Sequence, residues 1–190
     1  MSSLELMQEC QRLLNLRPLF LECKPSRLEP QAEIVELALI DTDGAILLDD
    51  LVRPKRRIKL SAIEVHGITN EVARQAPPWV EIWEKADKLI HGRTVGVYGL
   101  ETQLSWIMQC NRSDFLRWSH DPKHFFCIQK LHSTHQSVWQ RSTNTYRSYS
   151  LEKAATLLGL PSEPSAYRRR ALEDARLARN ILLVMAGWKG

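Results

Sequence analysis

The spacing of apolar side chains predicts an N-terminal helix, then a group of strands, and then helices separated by strands. An amphipathic helix is predicted first, over residues 3–15, because its apolar positions share one face. Three short strands are predicted next, at residues 19–23, 32–41 and 45–54. The turn Asp-Thr-Asp-Gly at 41–44 joins the second strand to the third, so we expect an antiparallel three-stranded unit.

Beyond this unit the pattern predicts helices with defined ends. The capping-box spacing of Ser61 and Glu64 predicts that a short helix begins there, and Gly67 is expected to end it. Thr69 is expected to cap another brief turn. Further helices are predicted at 79–91, 103–110, after the cap Ser150 and at 171–186, with a buried strand at 93–99. This order favours an α/β fold with a mixed central sheet flanked by helices.

Composition and charge narrow the class of protein without choosing a function. The 190 residues suit a single domain over 1–190, with its core at about 18–186. The net charge of +4 and the isoelectric point near 9.0 permit nucleic-acid binding but do not require it.

The cysteines and the N-terminal segment indicate where such a protein works. The four cysteines form no Cys-x-x-Cys pair and no zinc-ligand cluster, so a disulfide framework is not expected. A reducing cytoplasm is therefore the predicted location. Glu5 and Glu9 interrupt the N-terminal apolar residues, unlike a signal peptide, and no apolar run is long enough to span a bilayer. We expect no association with a membrane.

The stretch 119–149 is polar and weakly patterned. It contains four histidines, at positions 120, 124, 132 and 135. Their spacing matches no common metal-ligand pattern, so we predict a solvated loop and helix in preference to a metal site.

Seven segments of the chain carry a family resemblance, in this order: residues 32–44, 51–54, 65–82, 92–98, 125–131, 150–160 and 169–186. They resemble the DEDDh (DnaQ-like) family of 3′–5′ exonucleases, which includes the DNA polymerase proofreading subunit and ribonuclease T. The resemblance runs from about Pro18 to Met185. It implies the RNase H-like exonuclease fold, with a mixed five-stranded central sheet.

The resemblance also implies a chemistry against which the residues of this chain can be compared. The family uses four carboxylates and a histidine. The carboxylates hold two Mg²⁺ or Mn²⁺ ions, which activate water and stabilise charge on the phosphorus. The histidine deprotonates the attacking water.

Three of these five positions are substituted here. The Asp-x-Glu motif of the first strand aligns with Glu22 and Lys24, so one acid remains and the other is a lysine. The acid after the next strand aligns with Gln103. The final His-x-x-x-x-Asp motif reads from Arg169 to Asp174, so its acid remains and its base is lost. We therefore expect no functional catalytic residue at these five positions.

One alternative register leaves a third acid in place. A shift of two residues puts Glu101 at the position of Gln103, but it breaks the apolar pattern of the following helix. In the favoured register the four acid positions carry a net charge of −1, and Arg169 brings this to zero. We therefore expect no metal cofactor, with Glu22 and Asp174 as weak candidate ligands.

Lys24 carries a specific hypothesis. A buried lysine without a partner is costly, so we predict that its ammonium takes roughly the place of a metal ion. It is expected to pair with Glu22 or Asp174. The alternative is a Lys24 side chain that points into solvent.

Five residues are candidates for contacting nucleic acid. By resemblance, the turn of His66 and Ile68 lines the substrate groove, although the same turn can equally seal the core. A basic run beside the former site suits phosphate oxygens, although a solvated helix start explains it as well. This run is Arg168, Arg169 and Arg170.

These observations predict a degenerate exonuclease-like pseudoenzyme that binds single-stranded DNA or RNA. Two alternatives remain at this point. One is a protein-interaction module that uses the fold as a scaffold for a protein partner. The other is a residual exonuclease that uses a single metal ion. The sequence does not choose between DNA and RNA, and it does not indicate an oligomeric state.

Overall fold

The computed structural model describes residues 2–29, 31–161 and 169–188. Five strands form one mixed sheet in the order β3-β2-β1-β4-β5. The first three are antiparallel, and β4 and β5 run parallel to β1. The strands are β1 (Leu19–Pro25), β2 (Ile34–Ile40), β3 (Ile46–Leu51), β4 (Val95–Val97) and β5 (Phe125–Cys127).

Helices cover both faces of this sheet, and a short hairpin lies outside it. The hairpin consists of β6 (Trp139–Gln140) and β7 (Thr145–Tyr146). The α/β class, the antiparallel unit and the flanked five-stranded sheet are thereby confirmed. The helices are α1 (Ser3–Asn15), α2 (Leu60–His66), α3 (Asn70–Arg74), α4 (Trp79–Ile90), α5 (Leu100–Ser113), α6 (Ile128–Gln136), α7 (Leu151–Leu157) and α8 (Ala171–Met185).

The two faces of the sheet pack into separate apolar clusters. Phe20 of β1 faces the cluster built with α1, α7 and α8, whereas Leu19 and Leu21 face the cluster built with α4. Every residue of β1 and β2 is buried. Because side chains alternate along a strand, Glu22 and Lys24 lie on the same face as Phe20, towards α8.

The centre of the sheet is packed closely at Gly96 in β4. A Cβ atom added there would lie 2.7 Å from Cζ of Phe126 and 3.2 Å from Cδ1 of Ile128. A side chain at this position would therefore displace its neighbours in β5 and α6.

The predicted start of the short helix α2 is wrong. Lys59, not Ser61, precedes the helix, and it makes no side-chain capping bond. The backbone N–H of Lys59 donates to the carbonyl oxygen of Ser26 at 2.9 Å, which fixes the entry of the chain before Ser61 is reached. Gly67 does end α2 in the left-handed conformation, and Thr69 caps α3 with a bond to the Val72 N–H, as predicted.

The helix predicted at 103–110 is longer in the structure. It begins at Leu100, because Gly99 adopts a left-handed φ of 74° and turns the chain directly from β4 into α5. The polar stretch 119–149 is also more structured than expected, since it supplies β5 and α6. His120 is buried beside Asp87 at 2.8 Å, and His132 is fully buried.

Two features are absent from the described part of the chain. No group of three or more His, Cys, Asp or Glu side chains is arranged to hold a metal ion. No helix there is both long enough and apolar enough to cross a membrane.

Candidate functional site

Strand β1 places Glu22 and Lys24 side by side beneath the start of α8. Glu22 is 4% exposed and Lys24 is 6% exposed, so both charged groups are removed from water. A buried charge without a partner lowers the stability of the folded state by roughly several kcal/mol. The groups that pair with Glu22 and Lys24 therefore determine what the site can do.

The ammonium of Lys24 pairs with Asp174 in the first turn of α8. The Nζ atom lies 2.5 Å from Oδ2 of Asp174, and both side chains are at least nine-tenths buried. This is one of the two partners predicted for Lys24, and the alternative of a solvent-facing lysine is wrong.

Arg169 donates hydrogen bonds to the other carboxylate oxygen of Asp174, Oδ1. Its Nε and Nη2 atoms donate to Oδ1 at 3.0 and 2.8 Å, and Nη1 lies 3.1 Å from Glu152. A histidine at this position would offer a nitrogen that exchanges its proton near neutral pH. The guanidinium of Arg169 stays protonated instead and is held as an ion-pair partner.

Gln103 faces Glu22 from the first turns of α5. Its Nε2 donates to Oε2 of Glu22 at 2.5 Å, while its Oε1 accepts the backbone N–H of Cys23 at 2.8 Å. Glu101 is exposed and pairs with Lys130 at 2.6 Å. The structure therefore supports the register with Gln103 at the acid position, and the alternative with Glu101 is wrong.

The second oxygen of Glu22 is also bonded. Oε1 accepts the backbone N–H of Tyr98 at 2.9 Å. Burial nevertheless raises the pKa of Glu22 to about 8, and the charge of Asp174 adds to this effect. The bonds from Tyr98 and Gln103 and the charge of Lys24 oppose the shift only in part.

A third buried acid, Glu36, belongs to the same cluster and was missed by the sequence reasoning. It lies opposite Lys24 in the β1–β2 register and is 1% exposed. Its carboxylate accepts Nε of Arg170 at 2.6 Å and the backbone N–H of Ala171 at 2.8 Å. Glu36 thereby satisfies an N–H at the start of α8, which has no side-chain cap of its own. The available signal was a single carboxylate within an otherwise apolar strand.

The turn after α2 contains His66 and Ile68, and both side chains are buried. His66 Nδ1 accepts the backbone N–H of Ile68 at 3.0 Å, and Nε2 lies 3.2 Å from the carbonyl oxygen of Pro25. Burial lowers the pKa of His66 to about 4, so the ring is neutral near pH 7. Ile68 is 2% exposed and packs with Val35. In this structure the turn of His66 and Ile68 packs against the core, which is the alternative given for it, and its contact with nucleic acid stays a prediction.

Of the predicted basic run, Arg169 and Arg170 are both engaged by carboxylates of the cluster. Their charges balance buried acids, and a contact of this run with phosphate stays a prediction. Arg168 lies outside the described residues.

The cluster does not fit the two divalent ions that an exonuclease of this type uses. Both oxygens of Glu22 and both oxygens of Asp174 already accept N–H donors. The buried acids Asp174 and Glu36 are paired with Lys24, Arg169 and Arg170, and the raised pKa of Glu22, about 8, keeps that acid largely protonated near pH 7. Divalent ions need free carboxylate oxygens and an excess of negative charge, and this cluster offers neither.

The fold agrees with solved exonuclease structures. Exonuclease X in complex with 5′-overhanging duplex DNA aligns with a TM-score of 0.57 at 24% identity, covering 90% of this chain and 93% of that one. The nuclease domain of 3′hExo, a DEDDh family member bound to rAMP, aligns with a TM-score of 0.68 at 17% identity, covering 89% and 90%. These likenesses establish the shared fold.

Sequence comparison gives the family. An uncharacterized exonuclease of Escherichia phage 186, CP81, is 29% identical over 185 residues, which covers 94% of this chain and 93% of that protein. The sequence profile of the exonuclease family RNase_T matches residues 20–182. Since this match spans most of the chain, the protein belongs to the RNase_T exonuclease family.

Proposed function

We propose that this protein is a catalytically silent member of the exonuclease family that retains nucleic-acid binding. One observation carries the first half of the proposal. Every carboxylate oxygen of Glu22 and Asp174, the two acids left at the family's motif positions, accepts an N–H group of the protein itself.

The proposed lack of catalytic activity follows from what phosphodiester hydrolysis requires. Two-metal catalysis needs carboxylates that share two cations, together with a base for the attacking water. Here an ammonium and a guanidinium supply the positive charge that metal ions would otherwise provide. Arg169, which stands at the position of the family's base, cannot release its proton and therefore cannot deprotonate water. The same contacts disfavour hydrolysis by a single metal ion, since that ion would have to displace Lys24.

Nucleic-acid binding is supported by the fold and by the charge. Solved relatives include exonuclease X in complex with duplex DNA and exonuclease I in complex with single-stranded DNA. The net charge of this chain is +4, and its former metal centre carries no excess of negative charge. Without an excess of carboxylate charge, this centre repels phosphate less than an exposed acidic cluster does.

The proposed lack of nuclease activity is tested by a cleavage assay combined with a metal titration. We expect no shortening of a labelled single strand in Mn²⁺ and no binding heat when Mn²⁺ is titrated into the protein. The matched variant carries Lys24→Glu, Gln103→Asp and Arg169→His together, which returns two acids and a base to their motif positions. We expect Mn²⁺ to raise the melting temperature of this variant only, because bound metal stabilises the folded state.

A clear result refutes the proposal. Cleavage by the unmodified protein that disappears in an Asp174→Ala variant means that the centre is active. Binding is tested separately, by fluorescence anisotropy with labelled single-stranded DNA and RNA. Affinity should fall steeply as salt increases, and undetectable or salt-independent binding would contradict a phosphate-driven interaction.

A further inference from the structure

A basic depression lies outside the former metal centre, between the loop that follows β3 and helix α3. It has a volume of about 180 Å³ and contains no aromatic residue among the described residues that line it. Its walls carry four exposed arginines, which define what we call the basic groove: Arg53, Arg56, Arg57 and Arg74.

We propose that the basic groove binds the sugar-phosphate backbone of a single-stranded nucleic acid. This inference rests on the proposed function and names the surface that performs it.

The local sequence concentrates positive charge on one short loop. Residues 53–59 read Arg-Pro-Lys-Arg-Arg-Ile-Lys and contain no acid. Ile58 is 4% exposed and packs beside α2, so it fixes the loop to the core. Asn70 bonds both the N–H and the carbonyl oxygen of Ile58, at 2.8 and 3.2 Å. The loop is therefore ordered in advance, which reduces the entropy lost on binding.

The backbone of the loop is held from its other side by Glu33. This carboxylate accepts the backbone N–H groups of Lys55 and Arg56 at 3.1 and 3.0 Å. Glu33 thus shapes the loop by bonding its peptide groups, and the guanidinium of Arg56 remains available.

The arginines of the basic groove have no carboxylate partner within the described residues. Lys55 pairs with Asp114 and Lys59 pairs with Glu29, so the neighbouring lysines are compensated. No such ion pair within 4 Å is found for the four guanidinium groups in that part of the chain. The exposed Glu71 acts electrostatically on Arg57 and Arg74 but forms an ion pair with neither.

Four clustered like charges repel one another, so a polyanion is a favourable partner. Guanidinium groups match phosphate oxygens through paired N–H donors, and such contacts read no base sequence. The absence of aromatic residues from the lining agrees with a surface that follows the backbone and does not stack bases.

The loop that carries the basic groove is also bonded to the end of β1. The backbone N–H of Lys59 donates to the carbonyl oxygen of Ser26, which lies two residues beyond Lys24.

The test compares two triple variants by anisotropy with labelled oligothymidylate over a range of salt. The groove variant carries Arg56→Gln, Arg57→Gln and Arg74→Gln. The control carries Arg12→Gln, Arg17→Gln and Lys88→Gln, which removes the same charge from surface ion pairs elsewhere. Loss of three phosphate contacts should reduce the slope of log affinity against log salt by about 2, which is a loss of about 100-fold at roughly 0.1 M salt.

Each outcome has one meaning. A loss in the groove variant alone, with the control within about threefold of the unmodified protein, supports the site. Equal binding by both variants overturns the site and leaves nucleic-acid binding in place. Failure of the unmodified protein to bind removes the proposed binding function itself. Displacement of the oligonucleotide by polyglutamate as efficiently as by unlabelled DNA overturns nucleic acid as the partner.

Discussion

Replacement of Lys24 by methionine tests how the buried cluster is stabilised. Methionine keeps an unbranched apolar side chain of similar length but removes the ammonium 2.5 Å from Asp174. The variant leaves Asp174 buried with a single cationic partner, Arg169.

The size of the effect follows from that remaining partner. Removing one member of a buried ion pair costs about 3–5 kcal/mol when the other is left without compensation. Arg169 continues to bond Oδ1 of Asp174, so only the Oδ2 contact is lost. We therefore expect the free energy of unfolding to fall by about 2–3 kcal/mol. For a chain of this size that corresponds to a melting temperature lower by roughly 4–12 °C.

Urea denaturation of the Lys24→Met variant provides the measurement. The matched control is Lys88→Met, which breaks an exposed pair with Glu84 at 2.9 Å and should change stability by less than about 0.5 kcal/mol. A double-mutant cycle with Asp174→Asn should give a coupling of at least about 1 kcal/mol between positions 24 and 174. A Lys24→Met protein as stable as the control would refute the internal pair.

Three further predictions address the surroundings of this pair. Between about pH 6.5 and pH 8 the free energy of unfolding should fall by about 2 kcal/mol, because folded Glu22 keeps a proton that the unfolded chain has released. Urea titrations at several pH values should show this decline, and the Glu22→Gln variant should not show it. Gly96→Ala should lower the free energy of unfolding by about 1–3 kcal/mol, because the added Cβ meets the ring of Phe126. The control Gly159→Ala meets no atom within 4 Å and should cost about 1 kcal/mol through its positive φ alone. Equal losses of the two variants in thermal melts would argue against close packing at Gly96. Arg170→Gln should lower stability by about 2–4 kcal/mol by leaving buried Glu36 without its cation, and an unchanged denaturation midpoint would show that Glu36 does not need it.

Periodicity predicted those parts of the fold that depend on neighbouring residues. Alternation in β1 already places Glu22 and Lys24 on one face, and the turn at 41–44 predicts the antiparallel pairing of β2 with β3. The register that assigns Gln103 to the acid position also came from local pattern, because it preserves the apolar face of α5. Such predictions succeed because helix and strand geometry fix which side chains share a face.

Helix boundaries were predicted less well, because contacts distant in the chain set them. Ser61 has the spacing of a capping residue, yet the bond from Lys59 to Ser26 starts α2 earlier. The start of α8 likewise depends on Glu36, a strand residue far away in the chain. Local propensity is a weak determinant when a tertiary hydrogen bond competes with it.

The sequence by itself determined that Lys24, Gln103 and Arg169 stand at positions that, by the family resemblance, we predict to correspond to two acids and a base. Only the tertiary structure decided what those substitutions do. It brings together Lys24 and Asp174, which lie 150 positions apart in the chain. It also places Glu36 opposite Lys24, where Glu36 binds Arg170. The physical reason is that the free energy of a buried charge depends on its neighbours in space. Those neighbours are set by the packing of α8 on the sheet, which no local pattern specifies.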